Sequence, residues 1–233
     1  MNEQIWDDVW SSKRELTEFE KKLYHILYLK SLKFKGGRIL EAGCGTGRGI
    51  IPFSDKCECY GMDTSKEALK LTKKNFGRKV SVIRADIRNM PFKDNFFRFV
   101  FNSGVIEHLD YPDDLRAINE MARVSSGEIL FVVPNKLCLW YVFGKGMMKL
   151  LGKWPYGFEK SYSPCEIMDL AKKAGLKKIK IHTMLHFIPP SIGFMKCYPK
   201  FLLPLSLLFE KMIIKAKLKT LFAYALAVEG EKA

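Results

Sequence analysis

Seven residues constrain this chain more than any others: Glu41-Ala42-Gly43-Cys44-Gly45-Thr46-Gly47. They overlap the end of Arg38-Ile39-Leu40-Glu41-Ala42, a run that reads as a short buried strand and is broken at once by glycine. A strand that turns through glycines into a helix forms the ligand-facing edge of an open α/β sheet, where ligands bind beyond the carboxyl ends of the strands. Glycine reaches backbone angles closed to other residues. It also leaves no side chain to hold a ligand away from the main chain.

Spacing narrows the ligand. The dinucleotide fingerprint GxGxxG puts its third glycine where this chain has Arg48, and the glycine falls at Gly47 instead. A phosphate-binding P-loop needs Gly-Lys-Ser/Thr at its end, which is absent. The carboxylate of Glu41, two residues before the first glycine, suits a ligand with an ammonium group better than one with a pyrophosphate. Asp63 lies 20 positions after Gly43, at the end of a second strand over Glu58–Met62, where an acid can accept from both hydroxyls of a ribose. Asp86 ends a third strand over Val80–Ile83 and can accept from an adenine amino group. Asn102 and Ser103 end a fourth strand, over Phe97–Phe101, beside the same crevice.

The rest of the chain keeps this rhythm. Apolar positions Leu16, Phe19, Leu23 and Leu27 predict helix through residues 2–33. Thr64 with Glu67 predicts a capping box that opens a helix to about Asn75. A helix over Asp114–Arg123 leads to a fifth strand, Ile129–Val133, closed by Pro134. Ser163-Pro164-Cys165-Glu166 predicts a second capping box and a helix to Gly175. Lys178–Thr183 and Phe222–Val228 read as the last two strands, with an apolar, lysine-studded segment at 186–217 between them. Alternating strands and helices imply an α/β fold with a parallel sheet covered on both faces.

From about Arg38 to Asn135 the chain resembles the cofactor half of the class I, Rossmann-like S-adenosylmethionine-dependent methyltransferases, the broad group that includes ubiquinone and menaquinone biosynthesis enzymes. The matching pieces are Glu41–Gly47, Gly61-Met62-Asp63, Ala85-Asp86-Ile87, Met90-Pro91-Phe92, Ser103–Leu109 and Val133-Pro134-Asn135. The resemblance implies a three-layer sandwich around a seven-stranded, mostly parallel sheet with an antiparallel last strand, plus helical cap elements. It implies S-adenosyl-L-methionine as cofactor, with Gly43 and Gly45 near its methionine part, Glu41 setting the loop, Asp63 on the ribose, and Asp86 with Ile87 at adenine. With Cys44, Thr64, Asn102 and Ser103 added, these are the expected cofactor-binding residues. The chain departs from many relatives at Phe97-Arg98, where they carry Phe-Asp, but that position is not a cofactor contact in the pattern. One domain is expected: residues 1–35 as a helical cap, 36–135 as the cofactor half, and 136–233 as the substrate-side half.

No compulsory catalytic residue follows, because the methyl group arrives activated on a sulfonium and the main task is positioning. Glu107 and His108 are the candidates for a base, with a structural histidine as the alternative for His108. His25, His182 and His186 are further candidates for contact with the acceptor. The Asn-Pro-Pro-aromatic signature of amide and adenine-amino methylation is missing at Asn102-Ser103-Gly104-Val105, and Pro164-Cys165 sits in a helix cap rather than at a nucleophile position. The expected roof of the acceptor site is apolar and aromatic: Leu139–Phe143, Trp154–Phe158 and Phe201–Pro204, edged by Lys196, Lys200, Lys211, Lys215, Lys217 and Lys219. That favours a small-molecule, lipid or quinone-like acceptor and peripheral contact with an anionic membrane. Packing on the sheet or a homodimer interface are the alternatives for the same residues.

The net charge of +14 keeps a second function open, methylation of RNA or protein. A non-catalytic cofactor-binding scaffold is a third. Solvated lysines explain the charge as well as a partner does. Six cysteines in a chain that is 48% hydrophobic read as reduced thiols rather than staples. Cys57-Glu58-Cys59 lacks zinc-knuckle spacing, so no metal is expected. The N-terminus shows no secretory signal, and Phe201–Phe209 is too short to span a bilayer, so a cytoplasmic location is expected.

Overall fold

The structure is a computed structural model and describes residues 3–11, 26–184 and 219–232. The expected apolar segment 186–217, with His186, and the N-terminal positions Leu16, Phe19, Leu23 and His25 lie outside the described residues.

Seven strands form one sheet in the order β3-β2-β1-β4-β5-β7-β6. They are β1 (Arg38–Ala42), β2 (Glu58–Asp63), β3 (Val80–Arg84), β4 (Phe97–Ser103), β5 (Ser125–Pro134), β6 (Leu176–Met184) and β7 (Ala225–Lys232). The pairings β1–β2, β2–β3, β1–β4 and β4–β5 are parallel. β7 runs antiparallel to both β5 and β6, so six strands share one direction and β7 opposes them. This is the Rossmann-like methyltransferase sheet that the motifs imply.

Side-chain alternation builds two cores. Leu40, Ala42, Ile129, Phe131 and Val133 join α3 (Asp113–Val124) and α5 (Pro164–Lys173) on one face. Ile39, Phe99, Phe101, Leu130 and Val132 join Leu27, Phe34, Ile50 and Phe53 on the other. A strand buried on both faces reads as a nearly continuous apolar run, which is why β5 was legible as Ile129–Val133.

Local chemistry sets the element ends. α2 (Lys66–Phe76) is capped by Ser65, whose hydroxyl accepts from Ala68 N at 3.1 Å. The cap therefore sits one residue after the expected Thr64. α5 has the full capping box, with Glu166 N donating to Ser163 Oγ at 3.3 Å and Ser163 N donating to Glu166 Oε2 at 2.7 Å. The bend after β1 opens not into an α-helix but into a 3-10 turn, Arg48–Phe53. Pro52 inside it lacks the N–H that an α-helical turn needs there. The last strand also begins later than Phe222. A short helix, α6 (Lys219–Phe222), precedes it, and Asn135 Nδ2 ties this turn down by donating to Thr220 O and Ala223 O at 2.6 and 2.8 Å. The other helices are α1 (Glu3–Ser11) and α4 (Leu139–Leu150).

Candidate active site

The strand order reverses between β1 and β4, which opens a crevice at their carboxyl ends. The bend after β1 lines it. Gly43 N and Cys44 N both donate to Met62 O, at 2.6 and 2.9 Å, so the bend is tied to β2. Gly43 and Gly45 have φ of 79° and 52°. A Cβ on Gly43 would fall on the Val105 side chain, and one on Gly45 would lie 2.6 Å from the Trp10 indole. The bend is thus free of side chains because both its geometry and its neighbours forbid them.

Asp63, at the end of β2, holds this bend. Its Oδ2 accepts from Gly45 N and its Oδ1 from Ser65 N, both at 2.9 Å. Burial raises its carboxyl above the ordinary range, opposed by those backbone donors. Thr64 lends its carbonyl to Arg84 Nε at 3.0 Å. Thr72 of α2 donates to Gly45 O at 2.8 Å, and buried Cys44 lies 3.7 Å from the same hydroxyl.

Glu41 is buried beneath the bend, where desolvation and then the nearby Asp63 push its carboxyl well up. Gly49 N donates to it, and a Cβ on Gly49 would strike its carboxylate. Glu41 Oε2 and Asn102 Oδ1 have no hydrogen-bond partner among the described residues. Asn102 donates to Met121 Sδ at 3.1 Å, and Ser103 follows it at the mouth of the crevice. Asp86 is more committed than expected. Burial alone would raise its carboxyl, but Arg88 reaches both oxygens, at 3.0 and 3.1 Å from Nε, and holds it below the usual range. Arg88 also pairs with Asp113. Ile87 is buried in the core beside it.

An aromatic cluster adjoins the bend. On α1, Trp10 stands against Gly45, while Trp6, about one turn (5.4 Å) earlier, meets His108 edge-on at 4.7 Å and stacks on Tyr156 at 6.4 Å. Trp154 meets Tyr156 edge-on at 5.4 Å, and Tyr141 meets Tyr224 at 4.9 Å. Asp7 bonds to the Ser65 hydroxyl and fastens α1 to the α2 cap.

Three ionisable groups sit in this cluster. Lys145 Nζ pairs with Glu159 Oε1 at 2.9 Å and donates to Glu159 O at 2.8 Å. Tyr141 OH donates to the same carboxylate. Glu107 is buried, and its Oε2 has no partner among the described residues. Burial pushes Glu107 and Glu159 each up to about 8, and brings Lys145 down to about 8. His108 falls to about 4 through burial, so its ring is neutral at neutral pH. Its Nδ1 lies 2.8 Å from Phe158 O and must therefore carry the proton as donor. That bond and the Trp6 contact give His108 a positioning role in the cluster.

Of the other candidates, His182 lies on edge strand β6, half exposed, 3.7 Å from Glu229 and separated from β4 by two strands. Arg98 stands over Phe34 at the opposite end of the sheet, beside Gly37. Sequence reading missed Gly49, Thr72, Trp6, Trp10, Lys145 and Glu159. The i, i+4 spacing of Trp6 and Trp10 and the fourth glycine after Glu41 were the available signals.

A family profile described as a methyltransferase domain matches residues 39–126. Among curated relatives, uncharacterized protein MJ1123 of Methanocaldococcus jannaschii is 33% identical over 147 residues, 62% of this chain and 66% of that protein. Demethylmenaquinone methyltransferase of Geobacillus sp. (strain WCH70) is 28% identical over 144 residues, 55% of this chain and 59% of that one. The chain thus spans between about two fifths and two thirds of the length of three of the curated relatives it matches. A solved SAM-dependent methyltransferase from Thermotoga maritima superposes with a TM-score of 0.62 at 23% identity, covering 99% of each chain. Residues 39–126 thus match a methyltransferase domain, and the fold is that of the Rossmann-like S-adenosylmethionine-dependent methyltransferases.

The crevice fits that cofactor. Its side-chain-free bend would be filled by any Cβ, and the unpartnered Glu41 Oε2 is an acceptor for an ammonium group. Asp63 keeps lone pairs for ribose hydroxyls while it holds Gly45.

Proposed function

We propose that this chain moves a methyl group from S-adenosylmethionine to a small organic acceptor with an apolar body, lipid-like or quinone-like. The cofactor supplies a methyl group already activated on a sulfonium. The chain's residues supply position. Gly43, Gly45, Glu41 and Asp63 hold one partner, and Trp6, Trp154, Tyr156 and His108 wall off the other from water. Exclusion of water strengthens every polar contact inside.

The observation that carries the reading is the continuity of the two halves. One helix places Trp10 on the glycine bend and Trp6 on the aromatic cluster, so an acceptor at the cluster adjoins the methyl donor. Its likeness to a demethylmenaquinone methyltransferase supports an acceptor with a large apolar part. The exposed apolar side chains of α4, Leu139, Trp140, Phe143 and Leu150, lie beside Lys149 and Lys153, a combination suited to the surface of an anionic membrane. No helix among the described residues is long and apolar enough to cross a membrane.

The test is turnover with methyl-labelled cofactor over separate pools of lipid extract, polar small molecules, RNA and protein. Label in a lipid or small-molecule product supports the reading. Label confined to RNA or protein contradicts it, and no label in any pool indicates a cofactor-binding scaffold.

A further inference from the structure

The aromatic cluster holds one carboxyl group more than its own cations pair. Lys145 is spent on Glu159, which it meets at 2.9 Å with both side chains nearly closed to solvent. Glu107 is 5% exposed, and its Oε2 has no partner among the described residues. Trp154 Nε1 is likewise buried without a partner. The rings already face a cation: Lys145 Nζ lies 5.3 Å from the Tyr141 ring centre and 5.5 Å from that of Trp154. An anionic acceptor, such as a phenolate, would face two carboxylates here and be repelled. A cation on an apolar stem would satisfy the Glu107 oxygen that Lys145 leaves unpaired.

We propose that the acceptor is a primary or secondary amine, held by Glu107 as an ammonium and relieved by it of one proton before methyl transfer. This narrows the reading above to an apolar-bodied amine, setting aside its quinone-like form, and rests on the methyl transfer proposed there. Glu107 takes the proton from R–NH3+ and leaves R–NH2 and a neutral carboxylic acid. The nitrogen lone pair forms the N–C bond as the C–S bond of the methyl group breaks. That bonding pair stays on sulfur as a neutral thioether, and the positive charge passes to nitrogen. Glu107 returns its proton to solvent before the next cycle, so each turnover releases one proton. Burial sets Glu107 near about 8, a useful value for a base working close to neutral pH.

A soluble amine and an aminolipid headgroup share this chemistry, and the experiment separates them. The protein is first saturated with S-adenosylhomocysteine, then titrated calorimetrically with phenethylamine and with phenethyl alcohol. In parallel, flotation compares phosphatidylcholine vesicles with and without phosphatidylethanolamine. The expected result is binding of phenethylamine, or selective retention on phosphatidylethanolamine vesicles, with the alcohol weaker by about tenfold or more. Glu107→Gln removes this preference while its affinity for S-adenosylhomocysteine stays unchanged. A check without any variant is pH. Amine affinity rises from pH 6 towards 8 as Glu107 ionises, with Lys145, Glu159, Tyr162 and Tyr224 near enough to feel its charge, while alcohol affinity stays flat. Equal binding of amine and alcohol, no amine or aminolipid binding, or an unaffected Glu107→Gln overturns the amine inference alone, provided S-adenosylhomocysteine still binds. Failure to bind S-adenosylhomocysteine overturns the methyltransferase reading with it.

Discussion

Asp63 joins structure to binding in one side chain. It holds the glycine bend through Gly45 N and the α2 cap region through Ser65 N, at the end of β2 where the ribose is proposed to bind. Asp63→Ala should therefore weaken cofactor affinity by about 1–3 kcal/mol, the cost of losing a buried hydrogen-bond partner. Titration calorimetry of the variant reads this directly, and an unchanged dissociation constant would sever Asp63 from the site. Asp63 was legible because a strand-end acid 20 residues after a glycine bend has few other meanings. Asp86 was only half legible. Its position was clear, but Arg88, two residues on, already grips its carboxylate. Lys145 and Glu159 were not legible, because their pairing depends on how α4 folds back over the strand ends.

At the scale of elements, the alternation of strands and helices was readable, but their ends were not. Thr64 and Ser65 are both good caps, and only the chain direction leaving β2 selects Ser65. The late start of β7 follows from Asn135, whose amide captures the carbonyls of residues 220 and 223, a contact no local pattern announces. α1 depends on such contacts too: Asp7 to Ser65, Trp10 on Gly45 and Trp6 on His108. Asp7→Ala should speed amide exchange in residues 3–11 while strands β1, β4 and β5 keep their protection. Hydrogen-exchange mass spectrometry checks this. Equal exchange in α1 before and after the change would mean that the two tryptophans alone hold the helix. Saturation with S-adenosylhomocysteine should slow the same amides, since α1 lies against the bend proposed to take the ligand.

For the whole molecule, the buried carboxylates make stability depend on pH in an unusual direction. An acid whose folded pKa is raised binds its proton more tightly in the folded state, so stability falls as pH rises from the ordinary carboxylate range through the folded value. For Glu107 that window runs from about 4.5 to about 8. Glu107→Gln removes the penalty, so the variant should gain on the native protein by about 2 kcal/mol or more between pH 5 and pH 8.5. Urea unfolding at the two pH values measures it, and a pH-independent difference would show that Glu107 is not buried as an uncompensated acid.

The most direct test of the central assignment is a calorimetric titration of the purified native chain with S-adenosylmethionine, S-adenosylhomocysteine and ATP. Saturable binding of the first two at one site per chain, weakened in Asp63→Ala, with no heat from ATP, is the predicted result. No heat from either adenosyl ligand, or equal binding of all three, would contradict it.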